Sequence, residues 1–112
     1  MNEKISFGAY QDFTETTAVY KERLPTFNGR LSYVALGLTG EAGEVAEKIK
    51  KVMRDGTYVP EDITRELGDV LYYITQMSSL LGVELEEVAA QNMAKLLARK
   101  SAGTIRGSGD YR

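Results

Sequence analysis

Two short stretches carry acids at a spacing that can do chemistry. In GLTGEAGEVAEKIKK (37–51), Glu41, Glu44 and Glu47 recur at every third position. In ELGDVLYY (66–73), Glu66 and Asp69 repeat that spacing. Residues three apart are neighbours on one helix surface, so each pair sets two carboxylates side by side. Two such pairs converging in one groove repel strongly unless a cation lies among them. Oxygen-only donors suit a hard divalent cation such as Mg2+ or Mn2+. The same acids can also form an ordinary solvated face, with Glu44 and Lys48, and Glu47 and Lys51, at the spacing of routine surface ion pairs.

Composition narrows the chemistry further. The 112 residues include no histidine and no cysteine. That removes the commonest general base, the commonest zinc ligand, every disulfide and every thiolate site. Carboxylates, amines, guanidiniums, hydroxyls and amides must do whatever is done. With 43% hydrophobic and 27% charged residues, the chain reads as one ordinary globular domain spanning 1–112. Its net charge of −2 gives no basis for bulk attraction to a nucleic acid polymer or a membrane. No apolar run has the length of a membrane span. The first residues, MNEKISFGAYQDF, lack the cationic start and apolar core of a secretory leader, so a cytoplasmic protein is expected.

The elements that must position these acids read as helices throughout. Ser6 can cap a first helix over about Phe7 to Glu22, with Tyr10, Phe13, Thr17 and Tyr20 on one side. Pro25 and the Asn28-Gly29 pair are expected to break the chain. A second helix then runs from about Leu31 to Arg54 on a stripe of Leu31, Val34, Ala35, Leu38, Ala42, Val45, Ile49 and Val52. Asp55-Gly56 ends it. Pro60, Glu61 and Asp62 suit the first turn of a third helix. Its expected buried stripe is Ile63, Leu67, Val70, Leu71, Ile74, Met77 and Leu81, and Gly82 stops it. A fourth helix over about Leu85 to Lys100 turns Val88, Ala89, Met93, Leu96 and Leu97 inward. The tail SAGTIRGSGDYR, 101–112, reads as irregular and flexible. The fold expected is all-α, a four-helix bundle.

On the second helix Glu41 falls on the shoulder of the apolar stripe, Glu44 borders it, and Glu47 lies about opposite. Glu66 is nearer than Asp69 to the stripe of the third helix. If a short loop packs these helices antiparallel, the two acid pairs converge.

Glu41-Ala-Gly-Glu44 followed by Glu66-Leu-Gly-Asp69 resembles the ExxE…ExxD motif of the MazG-like all-α nucleoside triphosphate pyrophosphohydrolases. The surrounding LTGEAGEVAEKIKK and ELGDVLYYITQMSSLLGVELEEV match as well. Asn92-Met-Ala-Lys95-Leu-Leu-Ala-Arg99 resembles that family's NxxKLxxR stretch. The likeness extends over about residues 30–112, while residues 1–29 carry no clear base-selecting motif.

The resemblance implies hydrolysis of an NTP or dNTP to the monophosphate and pyrophosphate. It implies Mg2+, with Mn2+ able to substitute, held by Glu41, Glu44, Glu66 and Asp69. One of Glu41 and Glu44 also polarises the attacking water. Lys95 and Arg99, four apart on one face, can hold phosphate oxygens, the arginine by a bidentate fork. Asn92 can reach sugar or phosphate, and Lys48 lies on the acid side of its helix. In the tail, Arg106 and Arg112 flank a glycine-rich GSGD that can wrap an anion. Tyr10, Phe13 and Tyr33 are the aromatics available to stack on a base, although core or dimer packing is the commoner use of each. The family includes dimers and tetramers built as pairs of dimers, with sites formed between subunits. A homodimer or homotetramer is therefore expected. Phosphoribosyl-ATP pyrophosphatase shares the chemistry and fold and is the nearest alternative reaction. A non-catalytic helical interaction module is the alternative of another class.

Overall fold

The computed structural model describes residues 4–111. Those residues form four α-helices and no strand: α1 (Phe7–Glu15), α2 (Phe27–Asp55), α3 (Pro60–Leu80) and α4 (Leu85–Ala102). A single turn of 3-10 helix, Val19–Glu22, lies between α1 and α2. The all-α expectation from sequence holds, and the local signals explain most of the boundaries. The Ser6 hydroxyl accepts from the Ala9 amide and starts α1. Gly56 and Gly103, both at φ 73°, close α2 and α4 in the left-handed conformation that glycine adopts without a Cβ penalty.

Two boundaries differ from the sequence expectation. The first helix stops at Glu15 instead of reaching Glu22. Thr14, Thr16 and Thr17 turn their hydroxyls onto the carbonyls of Gln11, Phe13 and Thr14, a local alternative that competes with helix propagation. The second helix begins at Phe27 and runs straight through Asn28-Gly29, where the sequence predicts a break. Thr26 is the reason. Its hydroxyl accepts from the Gly29 amide, and Pro25 just before it fixes the entry.

α2 and α3 pack antiparallel along most of their length and form the body of the molecule. Successive layers can be followed along this hairpin. Lys48 and Val52 share a cleft with Asp62 and Ile63 near the loop. Glu41 meets Glu66 and Asp69 further in. Gly37 lies under the ring of Tyr73, and Val34 packs with Tyr73 and Met77 deepest of all.

α1 is tied to this body by amides rather than by apolar packing. Gln11 donates to the Ser79 hydroxyl and the Val83 carbonyl, both at 3.0 Å, and accepts from the Leu85 amide at 2.7 Å. One side chain thereby joins α1, the end of α3 and the start of α4. Fully buried Gln76 accepts from the Tyr20 hydroxyl at 2.7 Å and donates to Thr14 Oγ1 and Glu15 Oε1. Each of its polar atoms is satisfied, as burial demands.

The apolar core of the single chain is small: Ala18, Tyr20, Val34 and Leu85 are its buried hydrophobic members among the described residues. Several residues expected to face inward do not. Ile49 on α2, Leu67, Leu71 and Leu81 at α3, and Val88, Met93, Leu96 and Leu97 on α4 are all exposed. The radius of gyration is 16.9 Å, against about 13 Å for a compact 100-residue domain. α4 packs on α1 and α3, and its helical stripe lacks a covering element within the described chain.

Candidate metal centre

The hairpin register determines which acids meet. Glu41 is one turn beyond Gly37 on α2, and Asp69 is one turn before Tyr73 on α3. The close approach of Gly37 to Tyr73 therefore brings Glu41 and Asp69 together in the next layer. Glu66, three residues before Asp69, completes the group. One carboxylate oxygen from each of Glu41, Glu66 and Asp69 lies within 4.8 Å of the others. Glu41 and Glu66 are half-buried and Asp69 is exposed. Burial, followed by the charges of Asp69, Glu66 and Glu44, raises the Glu41 pKa above the usual carboxylate value.

These residues fit a hard divalent cation. Three oxygen donors converge from two helices, with no nitrogen or sulfur donor, and their mutual repulsion is what a dication would relieve. Glu44 is exposed and stands outside this group of three, although its charge reaches Glu41. Glu47 pairs with Lys50 at 3.0 Å.

The basic residues are distributed differently. Lys48 lines the cleft near the α2–α3 loop with Lys51 and Asp62, a space of about 210 Å³ whose lining includes none of the four predicted metal ligands. Asn92 and Lys95 line a separate cleft on α4 with Val88 and Gln91. Arg99 is buried. Its Nη2 donates to the Gly109 carbonyl and to Asp110 Oδ1, both at 3.2 Å. Lys95 Nζ approaches the same Asp110 oxygen at 3.4 Å. Asn92, Lys95 and Arg99 thus share one helix but do not join the acids in these clefts. Arg106 is exposed in the turns after α4, and Arg112 lies outside the described residues.

Of the aromatics, Tyr33 stacks on buried Tyr20 with ring centroids 4.6 Å apart and is itself exposed. Phe13 is exposed. Tyr10 is half-buried, and burial, with Tyr72 and Asp69 as neighbours, raises its pKa.

Residues 31–103 match the model of the MazG nucleotide pyrophosphohydrolase domain. The chain belongs to that family. Gene 37 protein of Mycobacterium phage L5 is 44% identical to it over 110 residues, covering 92% of this chain and 96% of that protein. No solved structure matches it. The MazG match takes in both acid pairs and the Asn92, Lys95, Arg99 stretch, and leaves α1 and Arg106 outside. An acidic cluster able to hold a divalent metal, on an all-helical frame, agrees with a MazG domain.

Two site-forming residues escaped the sequence reading. Gly37 and Tyr73 set the approach of the MazG helices, and Tyr73 sits close enough to feel the charge of Glu41. Its hydroxyl is pushed up to about 12, first by burial and then by Tyr33 and Glu41. The available signal was spacing. Gly37 precedes Glu41 by four, and Tyr73 follows Asp69 by four, so each shares a helix face with an acid.

Proposed function

We propose that this chain is a divalent-metal-dependent nucleoside triphosphate pyrophosphohydrolase, converting an NTP or dNTP and water to the monophosphate and pyrophosphate. The observation that carries this reading is the meeting of Glu41, Glu66 and Asp69 on two helices, inside the stretch that matches the MazG domain. Those three residues would hold Mg2+, or Mn2+ in its place, with Glu44 within a turn of them. A bound dication would supply charge neutralisation of the triphosphate and stabilise the leaving pyrophosphate.

The chain's own groups do the rest. Water attacks the α-phosphorus, the bond from that phosphorus to the bridging oxygen breaks, and pyrophosphate leaves. Glu41 or Glu44 accepts the proton of the attacking water, since carboxylates are the bases at hand in a chain without histidine. Lys95 and Arg99 hold phosphate oxygens, Asn92 the sugar or a phosphate, and Lys48 and Arg106 add positive charge at the rim. The whole of 1–112 acts as one domain on the cytoplasmic nucleotide pool, adjusting it or clearing it of unwanted nucleotides.

We further infer a homodimer, or a pair of dimers. Met53, Leu36 and Met93 are 81%, 74% and 71% exposed in the single chain, more apolar surface than a chain with so small a core can leave in water. A second copy would also answer the separation of Lys95 and Asn92 from the acids, by setting the basic cleft of one copy over the carboxylates of the other. Light scattering should give a mass two or four times 12.4 kDa.

The reaction is tested by chromatographic product analysis over canonical and modified NTPs and dNTPs, with Mg2+ or EDTA. Metal-dependent monophosphate and pyrophosphate are expected. Diphosphate with orthophosphate would mean attack at another phosphorus and would overturn this mechanism. No turnover by folded protein would leave a helical interaction module as the better reading.

A further inference from the structure

The end of the chain makes an unusual ion pair. The Arg99 side chain is only 8% exposed, while its partner Asp110 is 74% exposed. A buried guanidinium needs an anion, because unpaired charge in a desolvated position is expensive. Asp110 satisfies that need incompletely. Of the Arg99 nitrogens it accepts from Nη2 alone, and Arg99 Nε is buried without a hydrogen-bond partner. The same Asp110 oxygen also receives Lys95 at 3.4 Å. The hydrogen bond from Arg99, and after it the hydrogen bond and charge of Lys95, hold the Asp110 carboxyl below the usual carboxylate range. Gly107 and Gly109, at φ 142° and 84°, shape the turn that returns the chain to α4.

We propose that Asp110 is a tethered stand-in for a phosphate group: it fills the Lys95–Arg99 anion site in the resting chain and gives way when a phosphate or pyrophosphate arrives. A phosphate group can reach both Nε and Nη2 with separate oxygens and still accept from Lys95. It meets the donor that Asp110 leaves unmet. The carboxylate, being mostly solvated, is released at little cost. The 103–111 segment therefore competes with ligand for the site and raises the ligand concentration needed to fill it. This proposal rests on reading Lys95 and Arg99 as phosphate holders, and it is independent of the acid cluster.

The test uses the full chain in EDTA, so that no metal contributes, with inorganic pyrophosphate as the probe. Calorimetric titration compares wild type, Asp110→Asn and Lys95→Gln. Asp110→Asn should bind pyrophosphate about three- to tenfold more tightly, the gain from removing one competing charged contact. Lys95→Gln should bind more weakly than wild type. Trypsin cleavage after Arg106 should accelerate on adding pyrophosphate to wild type, because the segment is displaced. Equal or weaker binding by Asp110→Asn would overturn the tethered-anion proposal even if the enzyme turns over nucleotide. If pyrophosphate binds neither wild type nor Asp110→Asn, the anion site itself is refuted. Turnover assays then report separately whether the pyrophosphohydrolase reading survives.

Discussion

Replacing Gly37 by alanine tests how the acids are brought together. A Cβ at Gly37 would fall 2.6 Å from Tyr73 Cδ1 and Cζ, about an ångström short of ordinary contact. The ring has little room to yield, since Tyr72 packs edge-on at 5.3 Å and Tyr33 lies at 6.3 Å. Overpacking of this kind costs about 1–3 kcal/mol. Against it stands a gain of about 1 kcal/mol in helix propensity. The clash should win by up to about 2 kcal/mol, which lowers the melting temperature by up to roughly 10 °C. The layer holding Glu41 and Asp69 is one turn away, so helices forced apart at Gly37 also loosen the carboxylate group. Mn2+ affinity, read by calorimetry, should fall about tenfold or more. Gly37→Ala/Tyr73→Leu, which removes the obstructing ring, should recover part of that affinity. Gly40→Ala is the control. Nothing lies within 4 Å of a Cβ there, so it should stabilise the chain by about 1 kcal/mol. A Gly37→Ala protein as stable as wild type, with unchanged Mn2+ affinity, would refute the idea that this contact sets the spacing of the acids.

Glu41→Gln should raise the melting temperature in EDTA, because it removes a charge that Asp69, Glu66 and Glu44 repel, and should abolish stabilisation by Mg2+; a variant that still gains stability from Mg2+ would place the metal elsewhere. The raised Glu41 pKa also fixes a sign for pH dependence. Its protonated form is favoured in the fold, so the metal-free protein should be steadier below the ordinary value of 4.5 and lose this contribution as pH rises through the raised value; the same titration in Glu41→Gln should show a smaller decline. Tyr20→Phe removes the donor to the buried Gln76 carbonyl oxygen, and urea unfolding should show a loss of about 1–3 kcal/mol.

Much of this was legible in the sequence because the deciding signals are local. Ser6 capping, Pro60 at a helix start, and Gly56 as a stop depend on neighbours within a turn. The acid pairs could be assigned to helix faces by spacing alone. What escaped was decided by partners far along the chain or outside it. The break at Asn28-Gly29 failed because Thr26 capped the helix earlier. The stripe on α4 is real in sequence, yet Met93 and Leu97 find no cover in the described chain, since periodicity shows that a face is apolar without saying what will cover it. Glu44 met the spacing rule and still stands apart, because which acids converge depends on the Gly37–Tyr73 register.

That register has a kinetic consequence. The α2–α3 hairpin closes through the short loop 56–59, and helical hairpins with local contacts form early because little loop entropy opposes them. α1 and the 3-10 turn after it join through hydrogen bonds spanning 56 to 74 residues, such as Tyr20 to Gln76 and Leu85 to Gln11, which must come later. The three carboxylates are thus assembled by the part of the chain that folds first. A dication would then find its ligands already gathered at the folding barrier, and would act mainly by speeding folding rather than by slowing unfolding.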